Sequence, residues 1–176
     1  MNILIFFIGA SVVLYVILGG ADFGAGFMEC FVPRHLKVKQ REVINRAMGP
    51  VWEANHMWLI ILVVILFMGF PKAFGVIVVS LHFPLVALLV GIVFRGCAFT
   101  FRHYDAIKDE TSQKIYSFFF SLSSVWTSLW LGIIAASLTR GLLTNKGESA
   151  FEIFLEPWLG VFPLVMGVFT LAIFSF

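Results

Sequence analysis

Charge-free runs of Leu, Ile, Val and Phe extend over residues 1–21, 54–71, 73–94, 115–139 and 157–176. Each is near the roughly 20 residues that an α-helix needs to cross the hydrocarbon core of a bilayer. The pattern predicts five membrane helices and hence an all-α, polytopic transmembrane bundle. A membrane barrel would show short segments of alternating apolar and polar residues, which these unbroken runs do not. Between the second and third runs, "MGFPKAFG" carries the breakers Gly69, Pro71 and Gly75, so helices two and three are expected to form a tight antiparallel hairpin.

Composition extends this picture to the whole chain. Hydrophobic residues make up 60%, charged residues 12%, and mean hydropathy is +0.99, values that exclude a soluble domain with a wet surface. The first run lacks a basic leader and a small-residue cleavage site, so helix one is expected to stay in the mature protein. Cys30 and Cys97 stand alone, with no spacing that suggests a metal site or a disulfide framework. The net charge of +2 resides in loops beside a membrane and points to topology rather than nucleic acid.

Basic residues crowd the first loop (Arg34, Lys37, Lys39, Arg41, Arg46) and the third (Arg95, Arg102, Lys108, Lys114). The second has Lys72 alone, and in the fourth Arg140 and Lys146 are diluted by Glu148, Glu152 and Glu156. The positive-inside rule then puts loops one and three in the cytoplasm and the N-terminus outside. Loop one is expected to be a solvated connector with a short interfacial helix, and the Glu156-Pro157 step to open the last helix.

Three ionisable residues fall at expected membrane edges: Asp22 in "GGADFGAG", Glu53 in "PVWEANHMW" and Arg95 in "GIVFRGCAF". All three belong to the cytoplasmic end under this topology. A charge near hydrocarbon calls for a partner charge, a water-filled cavity or a proton path. Snorkelling to the headgroups explains the long Arg95 easily, and the short Asp22 and Trp52-flanked Glu53 less well. Gly19, Gly20, Gly24 and Gly26 around Asp22 mark a close-packing helix face. His56 and His82 should lie about 8 Å and about 20 Å from the cytoplasmic end, which disfavours joint haem ligation and leaves interhelical hydrogen bonding for both. Trp52 and Trp58 suit an interfacial aromatic belt, and the six Met and twenty-one Phe read as packing and lipid-facing surface.

In order and spacing over roughly residues 10–143, "GGADFGAG", "NRAMGPVWEANHMWLI" and "FRGCAFTFR" resemble subunit II of the cytochrome bd-type quinol oxidases of bacteria and archaea. The resemblance implies a multi-pass protein of the cytoplasmic membrane that binds no cofactor of its own. Its partner would be a subunit I carrying haems b and d, which oxidises quinol and reduces O2 to water. Membrane lipid or quinone would be a further neighbour. Asp22 and Glu53, with Asn55, match a proton path toward the oxygen site, although the family often has aspartate at position 53. Trp52, His56, Trp58 and Arg95 are supporting motif positions. The family's two four-helix repeats imply that residues 1–143 form the first, and that residues 144–176 supply an external loop and the start of a second, truncated repeat. A half-repeat of a proton-coupled transporter would also show membrane acids and broken helices, usually nearer the midplane. A purely structural partner, whose acids only anchor subunit I, is the third reading.

Overall fold

The computed structural model describes residues 1–33, 36–104, 110–143 and 149–175, apart from the side chains of Cys30, Val38, Glu53, His103 and Glu110. Arg34, Lys108, Lys146 and Glu148, used above to orient the loops, lie outside the described residues. The elements are α1 (Asn2–Phe31), α2 (Lys37–Gly69), α3 (Pro71–Ser80), α4 (His82–Tyr104), α5 (Glu110–Arg140), α6 (Ala150–Phe154) and α7 (Val161–Phe174). Among the described residues, four helical segments are long and apolar enough to cross a membrane: Asn2–Met28, Lys39–Gly69, His82–Arg102 and Thr111–Arg140. The chain is a multi-pass α-helical membrane protein.

Two expectations change. The run 73–94 is two helices, α3 and α4, broken at Leu81 with φ −106° and ψ 25°. Pro84 explains the break: it has no N–H for the Ser80 carbonyl, and its ring crowds that carbonyl, so it fits only in the first turn of a new helix. The last run forms α7, whose 14 residues rise about 21 Å. It begins at Val161, after Pro157 and the extended Gly160, rather than at residue 157.

The basic first loop is mostly helix. α2 starts at Lys37 and runs through Pro50 without a break, so there is no separate interfacial helix in this stretch. Packing and polar ties hold its first turns: Ile44 is buried against Ala98, Phe99 and Phe120, with Met48 and Trp52 beside them, while Arg41 and Asn45 bond to neighbouring helices. Position 53 consequently lies mid-helix.

Contacts fix the helix directions. α4 and α5 are antiparallel, with Phe94 on Phe119, Phe101 on Tyr116, and the Trp126 indole donating to the Ala87 carbonyl. α1 and α2 are antiparallel, bringing Gly69 to Leu4 and Arg41 to Glu29. α1 and α4 run the same way, because Asp22 pairs with Arg95 and Glu29 with Arg102 at one constant offset. α7 crosses α5 where a Cβ on Gly132 would lie 2.7 Å from the Gly167 Cα, a backbone approach that only glycine permits.

Candidate functional site: a buried acid–arginine ladder

Asp22 lies about 13 Å before the end of α1, and Arg95 about 13 Å before the end of α4. Both fall within the apolar spans Asn2–Met28 and His82–Arg102. Arg95 is 0% and Asp22 1% exposed. The guanidinium grips the carboxylate with two donors, Nη2 to Oδ1 at 2.6 Å and Nε to Oδ2 at 3.2 Å. Nη2 also donates to the Asp22 carbonyl at 2.6 Å, and Nη1 to the Ser124 hydroxyl of α5. Two-pronged pairing of this kind satisfies both charges where no water competes. Gly26 makes room for it, since a Cβ there would overlap the Ser124 side chain.

A second rung stands seven residues further along both helices. Arg102 Nη1 donates to Glu29 Oε2 at 2.8 Å, and its Nη2 to Asn45 Oδ1 at 2.7 Å. Arg41 Nε reaches Glu29 Oε1 at 3.4 Å. Between the rungs sits Phe120, fully buried, with the Arg95 and Arg102 guanidinium carbons each 4.5 Å from its ring centre. A phenyl ring attracts cations to its faces, so Phe120 holds both arginines while separating them. The ladder joins all four spanning helices.

The polar file continues. Tyr15, one heptad before Asp22 on α1, is buried, as is Ser11 one turn beyond it. On α5, Ser117, Ser121, Ser124 and Ser128 are all buried and recur at spacings that share one helix face.

The other expected site residues gather nearby without joining the ladder. Asn55 is fully buried with both amide atoms unpaired, packed so that a Cβ on Gly19 would lie 3.2 Å from its Nδ2. Trp52 stacks on Phe99 at 5.7 Å, and its Nε1 is buried and unpaired. His56 Nδ1 lies 2.9 Å from the Trp52 carbonyl and donates to it, a bond within α2 rather than the interhelical one expected. Trp58 is half-buried on α2. The Glu53 side chain lies outside the described residues.

The charge pattern places Arg41 and Arg102 in solvated loops, yet Arg102 is 3% exposed and both grip Glu29, which was not singled out at all. The signal was present in the spacing. Acids at 22 and 29 and arginines at 95 and 102 share one seven-residue interval, as two facing helix stripes must. Nothing in the sequence marks Phe120 among the other phenylalanines.

Over residues 1–176 the chain matches the profile of the family described as cytochrome bd terminal oxidase subunit II. The chain belongs to that family. Relatives of this chain include cytochrome bd ubiquinol oxidase subunit 2 of Bacillus subtilis, 27% identical over 155 residues, covering 88% of this chain and 44% of that protein. Cytochrome bd-I ubiquinol oxidase subunit 2 of Escherichia coli K12 is 21% identical over 141 residues, covering 80% of this chain and 36% of that protein. The chain thus spans less than half the length of these curated relatives.

A family whose name denotes a cytochrome raises the question of haem ligands in this chain. The offset of 73 between paired residues on α1 and α4 puts His82 level with Gly9, whereas Gly19 packs on Asn55, next to His56. The two imidazoles therefore differ in depth by roughly 15 Å, too far to ligate one iron. Among the described residues no three His, Cys, Asp or Glu side chains converge on a metal position. These residues do not fit a bis-histidine haem, and no haem chemistry is derived for this chain.

Proposed function

We propose that this chain is a haem-free membrane subunit of a quinol oxidase, supporting assembly of a haem-bearing subunit I and carrying protons from the cytoplasm toward the site where O2 is reduced to water. In this reading residues 1–143, with the spans of α1, α2, α4 and α5, are a first four-helix repeat, and residues 144–176 begin a second. The membrane is the cytoplasmic membrane of a bacterium or archaeon. Haems b and d belong to subunit I, quinol is the substrate of the complex, and lipid or quinone is a neighbour within the bilayer.

The observation that carries the reading is the ladder. Family membership supplies the reaction, and the ladder supplies a polar interior where apolar helices alone would be cheaper to fold. Asp22, held by Arg95, fixes the charge of this seam, Asn55 lines it, and Glu53 passes protons on. At 100° per residue, position 53 lies roughly 130° round α2 from the direction shared by Trp52 and Asn55. Ala54, Met57 and Ile60 on that side of α2 are exposed. In this reading an acid at position 53 hands protons to the partner subunit.

The test is to purify the complex through this chain and record its optical spectrum. Haem d absorbance and quinol oxidation co-purifying with the chain support the reading, whereas a colourless complex overturns it. His82, exposed at the start of α4, gives a sharper check. His82→Leu is expected to leave every haem band in place, and loss of a band from an assembled complex would assign a ligand to this chain. Topology follows from cysteine labelling after Cys30 and Cys97 are replaced by serine. A cysteine at Thr111 is expected to react only from the cytoplasm and one at Leu142 only from outside, and the reverse pattern would overturn the orientation.

A further inference from the structure

The two rungs of the ladder hold their acids differently. Asp22 has both oxygens bound by one guanidinium that is 0% exposed, at 2.6 and 3.2 Å. Among the described residues, Glu29 has one oxygen held by Arg102 at 2.8 Å and the other by Arg41 alone at 3.4 Å, through a side chain that is 14% exposed. Arg41 is thus a long contact made by a side chain that is not fully buried. Glu29 also lies about 10 Å nearer than Asp22 to the basic end of the bundle. Arg102, which holds Glu29, has its Nε buried without a partner, and Ser117 Oγ and Gln40 Oε1 are likewise buried and unpaired among the described residues. A buried donor or acceptor left unpaired is a cost that bound water relieves.

We propose that Glu29 is the first acid of the proton route and that Arg41 is the latch over it. This rests on the reading of the chain as a proton-conducting oxidase subunit, and adds to it a residue and a movable contact. When Arg41 swings outward into the headgroup region, Glu29 Oε1 is freed and takes a proton from water at the basic end. Arg102 keeps hold of Oε2, so the carboxyl stays in place. The proton then passes to a water bound among the unpaired polar groups of the seam, and the carboxylate recaptures Arg41. Asp22 takes no part in the exchange, because its pairing leaves no free oxygen.

Dicyclohexylcarbodiimide, which adds to a protonated carboxyl and leaves a stable N-acylurea, separates these roles in the purified parent complex. Peptide mapping is expected to find Glu29 labelled and Asp22 unlabelled, with Arg41→Ala raising the labelling of Glu29 several-fold. Glu29→Gln is expected to lower quinol oxidase turnover by about tenfold or more at unchanged haem content, with Glu29→Asp restoring most of it. Labelling of Asp22 in place of Glu29, or no labelling of Glu29 in either complex, overturns the proposal even if Glu29→Gln fails to assemble. So does parental turnover in Glu29→Gln. A parent complex without haem or quinol oxidation would instead refute the oxidase reading itself.

Discussion

Replacing Arg95 by leucine is expected to cost on the order of 3–5 kcal/mol and to prevent accumulation of the assembled complex. The magnitude follows from what the substitution leaves behind. Asp22 is 1% exposed and would lose the guanidinium that holds it, so a buried carboxylate would remain without its counter-charge inside the span. Arg95 also donates to Ser124 and packs between Phe23 and Phe120, 4.8 and 4.5 Å from their ring centres, so three helices lose a shared anchor. The paired change Asp22→Leu with Arg95→Leu removes both charges, and apolar replacement of a whole buried pair is often neutral or stabilising. The double variant is therefore expected to recover most of the folded complex, measured as haem per subunit and as the thermal midpoint in detergent. An Arg95→Leu complex as stable as the parent would show that the pair contributes nothing to assembly. If the double variant assembles and turns over normally, Asp22 has only a structural part in the proton route.

The spans were legible because their signal is local. Leaving hydrocarbon demands long uncharged helices, and such runs are visible residue by residue. The break at Leu81 was written in Pro84, but the apolar run through it masked the proline. Helix ends were less legible, since charge marks where a chain can leave the membrane and not where its helix stops. α2 continues through the basic loop because Ile44, Asn45 and Arg41 find partners on α1, α4 and α5, and those partners are distant in sequence. The same reason hid the second rung. Arg102 looks like a loop cation until Glu29 is brought to it by the parallel run of α1 and α4, and Phe120 becomes special only through the two arginines on its faces.

Glu53→Gln is expected to lower quinol oxidase turnover by about tenfold or more while leaving haem content and assembly intact. Glutamine keeps the size and hydrogen-bonding capacity of glutamate and removes only the titratable proton. The helix itself should tolerate the change, because position 53 lies mid-α2 and both residues are good helix formers. Trp52 and Asn55 turn one face of α2 toward Phe99 on α4 and Gly19 on α1, and exposed Met57 and Ile60 mark its other face. An acid that merely anchored the bundle would be on the packed face with the ladder. One that hands protons to a neighbouring subunit belongs on the outward face. Glu53→Asp retains the acid on a shorter arm and is expected to turn over within a few-fold of the parent. Leucine at the same position separates the two roles further: loss of assembly in Glu53→Leu with normal turnover in Glu53→Gln would make residue 53 a polar contact with the partner and not a proton carrier. Under that outcome the proton route would have to run through Glu29 and the interior seam alone.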